Sequence, residues 1–119
     1  MNIIDVYIAH SIGLTNKAIR YAKQLEDEGK KIYLPAKQTK KWDNTAKEFL
    51  TEHEILEQKI SAIKTAKEVH VLWDGSSPEL IFELGIAYGL EKKILIKSRS
   101  TRPIDRFLRE IGGEQKKPA

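Results

Sequence analysis

The sequence predicts a small α/β domain, a parallel sheet of four to five strands with helices on both faces, and two observations carry that expectation. Apolar, β-rich runs at residues 3–9, 32–34, 69–73 and 94–97 alternate with segments of helical periodicity. Glycine, proline and short polar clusters punctuate the joints between them. Strands separated by helices connect through right-handed crossovers, so the sheet should be parallel and buried on both faces.

In order along the chain, residues 3–9 alternate apolar and polar before Val6, Tyr7 and Ile8 complete a first strand. His10, Ser11, Ile12 and Gly13 leave it as a loop. Thr15 or Asn16 can cap a helix that carries Ile19, Ala22 and Leu25 on one stripe and stops at Gly29. Ile32, Tyr33 and Leu34 form a short second strand ended by Pro35, and the Lys-rich stretch 37–44, which contains Trp42, reads as a loop. Phe49, Leu50, Ile55, Leu56, Ile60 and Ile63 recur at helical spacing over 45–66, the longest element expected, with room for a break near His53. The third strand, 69–73, hands over through Asp74, Gly75, Ser76, Ser77 and Pro78 to another helix. After the fourth strand, Pro103 starts a last helix through Phe107 and Leu108, closed by Gly112 and Gly113. One domain over 1–111 and a polar basic tail over 112–119 result. This is a flavodoxin- or Rossmann-like three-layer arrangement. Such sheets bind ligands at the carboxyl ends of their strands, and the turns at 10–13 and 74–78 both leave those ends, so they should face one cleft.

Composition narrows the function classes. At 119 residues there is room for one core, and 40% hydrophobic with 32% charged residues is a globular balance. The absence of cysteine removes disulfides, thiolate nucleophiles and thiolate metal sites. The N-terminus shows no basic region followed by a long apolar run, so neither a signal peptide nor a membrane span is expected, and the cytoplasm is the expected compartment. The net charge of +4 comes from residues 97–119, where seven Lys or Arg face three Asp or Glu. Phe107 is the only aromatic residue there, which argues against a nucleic-acid partner. His10, His53 and His70 show no metal-ligand spacing, and no cofactor is expected.

The helix after Ser77 is apolar nearly all round, through Leu80, Ile81, Phe82, Leu84, Ile86, Ala87, Tyr88 and Leu90, so it is expected to be largely buried. Glu83 sits in that helix with Leu80, Ile86, Ala87 and Leu90 three, four and seven residues away. A carboxylate so placed is desolvated: alone its pKa rises, whereas partners for the anion keep it ionised as a nucleophile or base. It can equally pair with a Lys or Arg, or bond a tyrosine hydroxyl, and serve structure alone. Gly85 and Gly89, four apart, suggest a tight helix contact and, with the apolar helix, a homodimer. Ser76 and Ser77 are helix-capping residues at an N-terminus that also attracts anions, and Ser11 adds a hydroxyl from the facing loop, a set that can hold a phosphate. His10 can bind phosphate or donate a proton, and Trp42 can stack on a base or cover a core edge.

The segments Tyr7-Ile8-Ala9-His10-Ser11-Ile12-Gly13, Trp73-Asp74-Gly75-Ser76-Ser77 and Glu83-Leu84-Gly85-Ile86-Ala87 resemble the nucleoside 2-deoxyribosyltransferase superfamily, with the 2′-deoxynucleoside 5′-phosphate N-hydrolases as the most similar branch. The resemblance implies that Glu83 attacks the anomeric carbon of the sugar and that Tyr7 positions it. It implies that Ser77, six residues before the nucleophile, and Ser11 bind a 5′-phosphate, so the substrate is a nucleotide or nucleoside. Two positions depart from the pattern. The family's acid on the helix before the third strand falls on Lys59, and Gly13 stands where the hydrolase branch has a phosphate-binding arginine. Glu57 is near in sequence, but two residues round a helix turns it about 200° away.

The expected activity is cleavage or transfer at an N-glycosidic bond through a glycosyl ester of Glu83, without a metal. Lys59 and Gly13 motivate an alternative, a noncatalytic nucleotide-binding or sensor domain of the same fold. An interaction module resembling Toll/interleukin-1 receptor domains is a third reading, against which stands the short fourth-strand region. The enzymatic reading requires Glu83 to face a groove as the anion. A carboxyl group sealed from solvent against an internal lysine or arginine argues for structure instead.

Overall fold

Alternating strands and helices lie in the expected order in a computed structural model of the chain, which describes residues 3–35, 51–75 and 77–98. Strand β1 (Ile4–His10) passes through a single 3₁₀ turn (Ile12–Leu14) into helix α1 (Thr15–Asp27), and β2 (Ile32–Tyr33) follows. Helix α2 (Glu52–Thr65) runs directly into β3 (Ala66–Leu72), and α3 (Pro78–Gly89) leads to β4 (Lys93–Ser98). The sheet has the order β2-β1-β3-β4 with every neighbouring pair parallel. The strand count and the parallel arrangement therefore match the expectation, and the order reverses between β1 and β3.

Period-two alternation sorts β1 between two cores. Tyr7 and Ala9 face α2 and α3, together with Val69, Val71, Ile94 and Ile96. Val6 and Ile8 face α1, against Ala18, Ala22 and Leu25. A central strand buried on both faces explains why 6–9 reads as a continuous apolar run. Each large side chain buried in this way contributes roughly 1.5–3 kcal/mol.

Local chemistry sets the helix ends, with corrections to the sequence reading. Neither Thr15 nor Asn16 caps α1: Leu14 holds the cap position, and Thr15, already helical, donates its Oγ1 proton to the Ile12 carbonyl at 2.7 Å. Ile19, expected on the buried stripe, is exposed, and Ala18 takes its place beside Ala22 and Leu25. Gly29 does end the helix, at φ 91°, with its N–H on the Glu26 carbonyl. The described helix begins at Glu52, after a reciprocal capping box in which Thr51 Oγ1 accepts from Glu54 N–H and Glu54 Oε1 from Thr51 N–H. At its other end Lys92 Nζ donates to the Lys64 and Ala66 carbonyls, tying α2 to the start of β4.

Helix α3 is less buried than its apolar sequence suggests. Leu80, Glu83, Leu84 and Ala87 are buried, while Phe82 and Tyr88 are 53% and 58% exposed. A Cβ on Gly85 or Gly89 would meet nothing within 4 Å, so these glycines make no close contact inside the chain. An outer-layer helix touches its sheet along one side only, whatever the composition of the other. The expected 37–44 loop with Trp42, the first turns of the 45–66 helix, Ser76, the last helix and the basic tail lie outside the described residues. Among the described residues no helix is long and apolar enough to cross a membrane.

Candidate active site

Where the strand order reverses, the chain leaves β1 toward α1 and β3 toward α3, and the two turns diverge around a crevice. They are tied together at its floor. Ser11 N–H donates to the Leu72 carbonyl at 2.9 Å, and Ser11 Oγ accepts from Asp74 N–H at 3.1 Å. The expected meeting of the 10–13 and 74–78 turns is thus realised. It gives Gly13 a reason as well: a Cβ there would lie 2.9 Å from Asp74 Oδ2, so a longer side chain requires the carboxylate to move. His10 Nδ1 donates to the Ser11 carbonyl at 2.8 Å, which orients the imidazole. Ser77 caps α3, accepting from Leu80 N–H at 3.3 Å with Pro78 in the first turn, and Gly75 takes φ 100° in the turn before it.

Ser11 is fully buried, and the hydroxyl that the resemblance gives to phosphate is here the acceptor joining the two turns. The capping role inferred for Ser77 is what the structure shows. Glu57 points away from the site, as its helix position implied, and pairs with His53 at 3.3 Å on the surface.

Glu83 projects from α3 toward α2. Its Oε2 lies 3.0 Å from Lys59 Nζ, with the two side chains 8% and 21% exposed respectively. Burial pushes the Glu83 carboxyl above the ordinary carboxylate value, while the Lys59 charge and hydrogen bond, and more weakly His10 and Tyr7, pull it down. Burial prevails. The structural alternative raised from sequence, an internal lysine partner, is therefore met in part. The pair is not sealed, however. Ile55, Leu56 and Lys59 from α2 and Pro78, Glu79, Phe82 and Glu83 from α3 line a cavity of ≈ 340 Å³. That volume is at the small end of ligand pockets, roughly 300–1,000 Å³.

Behind Glu83 stand two tyrosines. Tyr7 is fully buried, and its hydroxyl has no hydrogen-bond partner among the described residues. Burial and the Glu83 charge together drive that phenol far above its ordinary pKa. It stands near enough to favour the Glu83 anion without closing a hydrogen bond. Tyr33, opposite Tyr7 in the sheet, stacks on it at 5.4 Å with rings 10° from parallel, and burial followed by the Glu83 charge raises its pKa too. Sequence reasoning passed over Tyr33, because only the β1–β2 register brings it there.

A second polar cluster also went unread. Tyr21 and His70 Nδ1 are 2.6 Å apart, and His70 Nε2 lies 2.8 Å from Glu68 Oε1, beneath α1 on the other face of the sheet. The two-residue spacing of Glu68 and His70 on one strand face was the available signal. No group of three or more His, Asp or Glu that could hold a metal ion occurs among the described residues.

A search of curated proteins returned no match. Among solved structures the chain is similar to a 2-deoxyribosyltransferase from the psychrotolerant bacterium Bacillus psychrosaccharolyticus, at TM-score 0.75 and 18% identity, over 96% of this chain and 86% of that one. It is also similar to a conserved protein from Enterococcus faecalis V583, at TM-score 0.58 and 18% identity, over 80% of this chain and 63% of that one. At such identities the likeness establishes the fold. The family model described as nucleoside 2-deoxyribosyltransferase matches residues 6–117, nearly the whole sequence, and the chain belongs to that family.

Proposed function

We propose that the protein cleaves or exchanges the N-glycosidic bond of a nucleoside or nucleoside 5′-monophosphate, with Glu83 as the nucleophile. Family and fold indicate nucleoside deoxyribosyltransferase-like activity in general. The observation that carries the specific reading is the Lys59–Glu83 pair at the wall of an open cavity. A buried carboxyl left alone is protonated more readily and attacks poorly, and an ammonium group 3.0 Å away opposes that tendency. In this reading Tyr7, buried beside Glu83, favours its anion, and His10, Ser11, Asp74 and Gly13 contribute to substrate binding from the turns after β1 and β3. Ser77, with the α3 N-terminus, is the group proposed to meet a 5′-phosphate. The reaction passes through a glycosyl ester of Glu83, which water or a second base resolves.

Free base released from deoxy- and ribonucleosides and their monophosphates, followed by chromatography, tests the proposal. Glu83→Gln is expected to lose at least about 10³-fold in rate. No base from any of them with wild-type protein at high concentration would refute it. The same ion pair favours a second reading, a noncatalytic nucleotide-binding domain in which Lys59 holds Glu83 in place permanently. A thermal shift with a nucleotide that is recovered intact supports that reading, and no shift with any nucleotide removes it.

The exposed strip of α3 bearing Phe82, Gly85, Tyr88 and Gly89 is the proposed homodimer contact.

A further inference from the structure

We infer that Lys59 makes the base-binding side of the cavity selective for oxo-substituted nucleobases over amino-substituted ones, an inference that rests on the glycosidic reading above. Lys59 lines the cavity beside Glu83, with Ile55, Leu56 and Phe82 around the same ≈ 340 Å³ space, and its side chain keeps 21% of its surface exposed. Glu83 Oε2 engages the ammonium from one side at 3.0 Å. An ammonium has three donor protons and no acceptor, so toward a bound base it can engage acceptor atoms only.

The complementarity follows from the edges of the bases. A 6-oxopurine presents two adjacent acceptors, N7 and O6, the edge that lysine and arginine recognise, whereas a 6-aminopurine presents N7 beside an N–H donor. A carboxylic acid at position 59 could donate to N7 and accept from the amino group. A lysine cannot. The same contrast separates a 4-oxopyrimidine from a 4-aminopyrimidine, where a carbonyl oxygen replaces an amino group.

The chemistry favours the same class. As a Glu83 oxygen bonds to the anomeric carbon, the carbon–nitrogen bond breaks and its electron pair passes to the ring nitrogen, spreading onto the carbonyl oxygen of an oxo base. Lys59 meets that charge and transfers a proton to the departing base. The water that then attacks the anomeric carbon returns a proton to Lys59 as Glu83 leaves as the carboxylate. In base exchange the incoming N–H returns it.

The test compares kcat/KM for deoxyinosine against deoxyadenosine and for deoxyuridine against deoxycytidine, each as the nucleoside and as its 5′-monophosphate, in wild type, Lys59→Met and Lys59→Gln. A ratio within one protein cancels any effect of Lys59 on Glu83. The expected wild-type preference for the oxo member is about 10- to 100-fold in at least one pair. It should fall to about threefold or less in Lys59→Met and move further toward the amino base in Lys59→Gln, whose amide both donates and accepts. A wild-type preference for the amino base, or a ratio unchanged in Lys59→Met, would overturn the inference while leaving the glycosidic activity standing. If wild type releases no base from these nucleosides or from their 5′-monophosphates, the glycosidic reading fails, and calorimetry with free hypoxanthine, adenine, uracil and cytosine decides the selectivity separately. Tighter binding of the oxo bases that is lost in Lys59→Met supports it; equal or absent binding overturns it. Circular dichroism and urea melts of both variants establish that they are folded, and a misfolded variant leaves the decision to the wild-type ratio and binding preference.

Discussion

A lysine beside a buried glutamate changes what that glutamate can be. Burial raises the Glu83 pKa and Lys59 is the largest influence opposing it, with His10 and Tyr7 behind. If the anion is the reactive form, kcat/KM rises as pH climbs through the Glu83 pKa, on the alkaline side of an ordinary carboxylate. Removing the ammonium leaves burial less opposed, so Lys59→Met should shift this acidic limb to higher pH, and Lys59→Arg should hold it near the wild-type position. A pH–rate profile of the three proteins checks this, and an unmoved limb in Lys59→Met would argue that the pair is structural. Much of this site was legible in residues: Glu83 stood out because a charge interrupts an apolar helix, and Ser77 because it precedes Pro78. That Lys59 meets Glu83 was not legible, since 24 positions and an entire strand separate them and helix rotation alone decides which side chains face across α2 and α3.

At the scale of elements, local signals were reliable where a hydrogen bond inside a few residues settles the matter. The capping box at Thr51 is such a case. Thr51→Ala should destabilise the protein by about 1 kcal/mol in urea unfolding, through loss of the Glu54 N–H acceptor. Where an environment settles it, sequence misled. Helix α3 carries enough apolar residues for burial all round, yet one face looks outward and Gly85 and Gly89 touch nothing within the chain. Under the dimer proposal, Phe82→Glu and Tyr88→Glu should each convert a dimer to monomer in light scattering; a strict monomer of wild type at micromolar concentration would remove the proposal.

At the scale of the whole molecule, the cluster of Tyr21, His70 and Glu68 links α1 to the sheet. Tyr21, its pKa pushed up to about 12 chiefly by burial, remains a donor to His70 Nδ1, and His70 Nε2–H donates to Glu68. Burial holds His70 below its ordinary 6.5, against the pull of Glu68 and with Lys97 and Lys30 adding to the depression. A depressed folded pKa stabilises the neutral form, so this contribution is present above pH 6.5 and is lost as pH falls through the folded value. The bond to His70 likewise lowers the Glu68 pKa, a contribution present above its ordinary 4.5 and lost in stronger acid. Wild-type stability should thus decline below pH 6.5, and His70→Gln should reduce that slope in urea melts across pH. By itself the sequence determined the α/β alternation, the parallel sheet, the crevice turns and Glu83 as the residue to examine, because periodicity, turn chemistry and an isolated charge are local properties. Only the tertiary structure decided the partners: Lys59 for Glu83, Tyr33 for Tyr7, Asp74 for Ser11, and solvent for half of α3. Each depends on strand register, helix rotation or layer position, quantities set by packing between distant segments rather than by any stretch of chain alone.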